Sequence, residues 1–150
     1  RGLVLSNTAA RIGTAAMWGE RCAQVETTGL EAYADGAMER MFGRKWPEGA
    51  GMPRVRDMLL ATDPKGWIGC ASAIAGTDFY TPTAGLTLPT LAIAGANDGT
   101  TLPDLVRETA DLILGSRFAL MRGAGHVPMV EKPAEYAALI GQFVADIGHV

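Results

Sequence analysis

An α/β fold is what this sequence predicts, with parallel strands flanked by helices and one all-helical block inserted, and three observations carry that expectation. Residues 88–95, Leu-Pro-Thr-Leu-Ala-Ile-Ala-Gly, form a continuous apolar run of strand length closed by Gly, as suits a parallel strand buried on both faces. A helical pattern, a short strand pattern and a last helical pattern follow it, the alternation of a doubly wound unit. Residues 14–77, by contrast, are helical in periodicity throughout.

In chain order, Gly2-Leu3-Val4-Leu5-Ser6 reads as a buried strand, and Asn7 to Gly13 as its turn-rich exit. Thr14 can cap a helix that places Met17, Trp18, Arg21, Cys22 and Val25 on one stripe, ended by Thr28 and Gly29. A second helix from Leu30 to Phe42 aligns Leu30, Tyr33, Ala34, Ala37, Met38 and Met41, and the segment from Trp46 to Gly51 is a loop. Pro53 opens a helix with Val55, Met58, Leu59 and Leu60 on its face. Pro64 opens another with Trp67, Ile68, Ala71 and Ile74, again with Pro in the first turn, where its missing N–H costs nothing. After the strand at 88–95 and a loop from Ala96 to Leu102, Pro103 starts a helix with Leu105, Val106, Thr109, Ala110, Leu112 and Ile113. Arg117 to Met121 makes the third strand, and Pro133 starts a last helix bearing Tyr136, Leu139, Ile140, Phe143 and Val144.

Composition removes several functions. With 13 Lys and Arg against 16 Asp and Glu, a net charge of −3, the chain lacks the basic stripe that nucleic-acid binding needs. No apolar stretch reaches the length of a membrane span and no leader pattern opens the chain, so a cytoplasmic location is expected. At 48% apolar and 19% charged it has the material for a packed core. Cys22 and Cys70 stand far apart without CxxC spacing, and His126 and His149 lie far from both. Neither a disulfide framework nor a metal site is indicated; reduced, buried thiols are expected, and no cofactor is implied.

In an open α/β sheet, ligands bind at the carboxyl ends of the strands. There the sequence places Asp98, in Gly95-Ala96-Asn97-Asp98-Gly99, and His126, in Arg122-Gly123-Ala124-Gly125-His126-Val127-Pro128. An acid and an imidazole at one sheet edge can form the orienter and base of a hydrolytic triad. Asn97-Asp98-Gly99 is also good turn chemistry, so Asp98 equally fits an Asx-turn that only stabilises its loop. His126, between Gly residues and a Pro and outside any helical stripe, gains nothing obvious from packing. His149, next to the last residue, reads as solvated.

The stretches GLVLSNTAARIG, LAIAGANDGTT and GAGHVPMVEKP resemble the carboxy-terminal half of α/β-hydrolase-fold enzymes, and among these the bacterial 3-oxoadipate enol-lactonases of aromatic catabolism by the β-ketoadipate pathway. The resemblance spans essentially the whole chain. It implies a core strand and exit loop at 1–13, a helical cap at 14–80 and an α/β core at 81–150, with Asp98 as triad acid and His126 as general base. The substrate would be a small lactone or ester. Since an enol-lactone carries a free carboxylate, Arg11 after the first strand is a candidate contact, or else a salt bridge tying cap to core. Trp18 and Trp67 either line the pocket or fill the cap core, and Val127 and Met129 stand beside the base as apolar wall.

One part of the family pattern is missing. Ser6, Ser72 and Ser116 lie in LSN, ASA and GSR contexts, not in a G-x-S-x-G elbow, and the oxyanion loop is absent too. In the family both precede the strand that opens this chain at Arg1. The expectation is a chain divided in mid-fold, whose partner would be the amino-terminal half with the nucleophile. Other esters, a cofactor-free haloperoxidase-like reaction, or a binding module with relic residues are the alternative readings.

Overall fold

The computed structural model describes residues 1–42 and 51–148. Of the loop expected from Trp46 to Gly51, residues 46–50 lie outside the described residues, as does His149, while Gly51 stands at the N-cap of the helix that follows.

Three parallel strands, β1 (Leu3–Ser6), β2 (Thr90–Gly95) and β3 (Arg117–Met121), form one sheet in the order β1-β2-β3. Leu3 pairs with Thr90 and Ser6 with Ile93; on the other side Leu91 pairs with Arg117 and Gly95 with Met121. All six residues of β2 are buried, which explains its unbroken apolar run. The pleat sends alternate side chains to opposite faces. Ala92 and Ala94 meet Val106 and Ala110 of α5 (Pro103–Asp111), small residues that let the helix approach the sheet closely. Leu91 and Ile93 face the other way and pack with Met121, Ala124 and Phe143, the last from α7 (Pro133–Asp146). Burial of β1 is only partial, against the expectation of a buried strand, because among the described residues it pairs with β2 on one side and with no strand on the other.

Helices α1 (Ala15–Phe42), α2 (Met52–Leu60) and α3 (Pro64–Ala75) share a separate core of Val25, Leu30, Tyr33, Ala37, Met38 and Phe42, against which Val55, Leu59, Trp67 and Ile68 pack. Gly29 interrupts α1 with φ 79° and ψ 174°, so the two helices expected on either side of it run together with a sharp break at the glycine. Thr14 Oγ1 accepts from the Met17 amide as an N-terminal cap, and Asp63 Oδ1 accepts from Lys65 N at the start of α3. Met58, expected on the apolar face of α2, is 65% exposed. α2 is nine residues long and packs one side against α1 through Met52, Val55, Leu59 and Leu60, a set to which Met58 does not belong.

A short helix, α4 (Tyr80–Ala84), was not legible in the sequence. It returns the chain past β1 through Phe79 N, which donates to Ala10 O at 2.8 Å, and past α5 through Tyr80 Oη, 2.6 Å from Glu108 Oε1. The thiols also differ from expectation: Cys22 is half-buried, Cys70 is exposed, and neither is paired. Cys22 Sγ lies 3.9 Å from the Ile68 carbonyl oxygen and 3.8 Å from Ser72 Oγ of α3, and Cys70 lines the cleft between the helices and the strand ends. Among the described residues no helix is long and apolar enough to cross a membrane, and no cluster of three His, Cys, Asp or Glu could hold a metal ion.

Candidate active site

The three strands end side by side, and their exits form a continuous hydrogen-bonded rim. Asn7 N donates to Ile93 O at 2.8 Å, Ala96 N to Met121 O at 2.9 Å, and Asn97 N to Ala124 O at 2.8 Å, extending the ladders into the loops. Gly95 is required at this crossing, since a Cβ there would stand 2.0 Å from Gly125 O.

Asp98 and His126 meet on that rim, with His126 Nδ1 2.9 Å from Asp98 Oδ2. The two readings of Asp98 belong to its two oxygens. Oδ1 accepts from Thr100 N at 2.7 Å and Thr101 N at 3.0 Å, closing the Asx-turn, while Oδ2 faces the imidazole and also accepts from Asn7 Nδ2 at 2.9 Å. Burial pushes the Asp98 carboxyl up, but the hydrogen bonds with His126, Asn7 and the Thr101 amide outweigh it and hold its pKa below the ordinary value. An ionised acid on Nδ1 selects the tautomer that leaves Nε2 free to accept a proton. Nε2 makes no hydrogen bond among the described residues.

Asn7 is a residue of this site that carried no signal in the sequence beyond its turn propensity. Its φ of 49° lies in the left-handed region, which Asn tolerates better than most residues. That bend aims the amide at Asp98 Oδ2 and at Gly125 O, 3.0 Å away, so one side chain joins the exits of all three strands. Glu131, in the short helix α6 (Pro128–Glu131), braces the same loop by accepting from Gly125 N at 2.7 Å. Burial raises the Glu131 pKa above its ordinary value; the Gly125 amide opposes this and the Asp98 charge adds to it.

The helices are bound to both loops through the carboxyl end of α1. Its last carbonyls have no partner within the helix. Arg40 O accepts from Gly99 N at 2.9 Å and Met41 O from His126 N at 2.7 Å. Between helices and rim opens a cleft of about 230 Å³, walled by Trp18, Tyr33, Trp67 and Ile74, with His126 and Thr100 on the sheet side and Arg21 and Arg40 as its cations. Tyr33 and Trp67 meet edge to face at 4.8 Å, and Trp18 is anchored by Nε1 donating to Ile12 O at 2.7 Å.

Of the residues singled out in the sequence, His126, Trp18 and Trp67 line this cleft together, with Asp98 behind the imidazole. Val127 packs against the helical core, and Met129 is 42% exposed. Arg11 is not part of the lining; its guanidinium lies 3.8 Å from Asp78, in a pair more than half exposed on both sides. Ser6, Ser72 and Ser116 contact Asn7, Cys22 and the Ala110 carbonyl respectively.

No family model matches the chain. It is 28% identical over 136 residues to 3-oxoadipate enol-lactonase 2 of Acinetobacter baylyi, an alignment covering 89% of this chain and 51% of that protein. Its fold superposes on the enol-lactonase of Burkholderia xenovorans with a TM-score of 0.89 and 29% identity, over 97% of this chain and 56% of the other. A hydrolase from Pseudomonas aeruginosa also superposes with a TM-score of 0.89, at 34% identity over 96% of this chain and 55% of the other. The chain spans about half the length of the curated relatives it matches. In sequence it is a relative of the 3-oxoadipate enol-lactonases, and in structure it is about half of an α/β-hydrolase fold.

Proposed function

We propose that this chain supplies the acid and base of a serine-type hydrolase acting on a lactone or ester, with 3-oxoadipate enol-lactone as the substrate its relatives suggest. The observation that carries the reading is the 2.9 Å pairing of His126 with the buried Asp98 at the mouth of an apolar cleft. In this reading α1 to α3 are the cap, and a polypeptide supplying the amino-terminal half of the fold brings the serine and the oxyanion donors.

His126 Nε2 takes the serine proton as the hydroxyl attacks the lactone carbonyl, and Asp98 stabilises the imidazolium that forms. The imidazolium returns the proton to the departing enolate oxygen. Water, deprotonated by the same nitrogen, then releases the acyl group and the free acid. The tryptophans keep the apolar part of the substrate out of water.

The test is enol-lactone hydrolysis, followed by loss of ultraviolet absorbance, for the chain alone, for the chain mixed with the missing half, and for the mixture carrying His126→Ala. Activity is expected only in the unmodified mixture, and the substitution should cost about 10³-fold or more in kcat. Equal activity of the lone chain refutes the shared site. A mixture that assembles without turning over any lactone or ester refutes the hydrolase reading.

A further inference from the structure

A second acid stands behind the Asp98–His126 pair. Glu131, at the end of α6, accepts through Oε2 from Gly125 N at 2.7 Å. Gly125 is buried, and its amide has no other acceptor among the described residues. The amides around the base are thus held from outside the loop. Gly125 N donates to Glu131, His126 N donates to Met41 O at 2.7 Å, and the Val127 amide hydrogen-bonds the Glu131 carboxylate as well. In a loop with glycines at 123 and 125, and so with wide backbone freedom, these bonds fix the direction in which the imidazole leaves the chain.

A neutral amide side chain would hold Gly125 as well as a carboxylate does; the carboxylate adds a charge. Burial and the charge of Asp98 oppose ionisation of Glu131, whereas the Gly125 and Val127 amides favour it, and so does His126 when it carries a proton. Such coupling is reciprocal, so the carboxylate stabilises the imidazolium by as much as the imidazolium stabilises the carboxylate. The facing groups are Asp98 from the β2 exit and His126 from the β3 exit. Lys132, at the head of α7, pairs with Glu135 at 3.2 Å, and Arg40, at the end of α1, lies 5.1 Å from the Tyr33 ring. Among the described residues no Lys or Arg forms an ion pair with Glu131, which leaves its charge to the imidazole.

We infer that Glu131 is a positioning residue for the base: its carboxylate fixes the peptide that precedes His126, and its negative charge stabilises the imidazolium that forms there. Glu131 does not line the cleft, so it acts through His126 and not on the substrate. Asp98 orients Nδ1, and Glu131 holds the backbone from which the ring projects. This deepens the hydrolase reading and rests on it only for the reaction in which the base is used.

The test uses the full chain with isotope-labelled histidine and reads the imidazoles by NMR; the chain has two histidines, and His149→Gln assigns their signals. Two quantities are followed, the pH midpoint of the His126 signals and the low-field proton resonance of the bond between Nδ1 and Asp98. Glu131→Gln keeps an acceptor for Gly125 N and removes the charge. It should leave the low-field resonance in place and weaken proton binding at His126 about threefold or more, moving the midpoint to lower pH. Glu131→Ala removes both acceptor and charge, and should in addition erase the resonance as the loosened loop lets water in, with circular dichroism checking the fold. Should Glu131→Ala not fold, Glu131→Gln decides, because a purely structural brace would be rescued in full by the amide. An unchanged midpoint in Glu131→Gln, or a resonance in Glu131→Ala as sharp as in wild type, overturns the inference. The readout needs no turnover, so both expected results alongside absent hydrolysis in the reconstituted mixture would count against the hydrolase reading alone.

Discussion

Replacing Gly125 by Ala would place a Cβ 2.1 Å from the Met41 carbonyl oxygen and 3.1 Å from its carbon, where real Cβ contacts stay beyond 3.0 Å. Both atoms are backbone, so no rotamer change relieves the clash, and the His loop and the end of α1 must separate by about 1 Å. A shift of that size breaks the 2.7 Å bond from His126 N to Met41 O and strains the two other bonds Gly125 makes, to Glu131 and Asn7. Overpacking of this kind costs about 1–3 kcal/mol and a lost backbone bond about 1 kcal/mol more, so a loss of about 2–4 kcal/mol is expected. Equilibrium urea unfolding of the chain, followed by circular dichroism, measures it. Gly69, inside α3 with nothing within 4 Å of its Cβ position, is the matched control, and Gly69→Ala should stabilise by about 0.5–1 kcal/mol. If Gly125→Ala shifts stability by less than about 0.5 kcal/mol, the contact between α1 and the His loop is not as described.

Two further outcomes follow from the rim. Because the Asp98 pKa is lowered in the folded state, the stability it contributes is full above its unfolded value near 3.8 and is lost as pH falls through the folded value. Asp98→Asn should therefore flatten the acid limb of the urea midpoint plotted against pH, and an acid limb identical to wild type would refute the pairing. Asn7→Gly keeps the positive φ and removes only the amide that joins Asp98 and Gly125; a cost of about 1–3 kcal/mol is expected for the two acceptors left short. In a reconstituted enzyme its effect should fall on kcat and leave KM nearly unchanged, and a KM effect alone would show that Asn7 does not position the pair.

Much of the fold is local and therefore legible. The apolar run ending at Gly95, the prolines at 53, 64, 103 and 133 and the glycine at 29 each act on their own few residues, and the elements start or break where these residues stand. The exceptions share a cause. Burial of β1, exposure of Met58 and of Cys70, and the existence of α4 depend on what lies across from each segment, which periodicity does not encode. The same division runs through the site. Asp98 and His126 were visible because strand ends and loop chemistry mark them, whereas Asn7 and Arg40 lie 91 and 58 residues from Asp98 and look like an ordinary turn residue and an ordinary helix cation.

By itself, then, the sequence determined the strand-and-helix order and which loops hold an acid and an imidazole, because turn residues, prolines and apolar periods operate over a few neighbours. Only the tertiary structure decided that one Asp98 oxygen closes the turn while the other faces His126. It also decided that Asn7 joins three strand exits, that α1 ends on both loops, and that Arg40 rather than Arg11 reaches the cleft. The physical reason is that hydrogen bonds and burial act through space, and each of these contacts joins groups that are separated along the chain and brought together only when the three strands align.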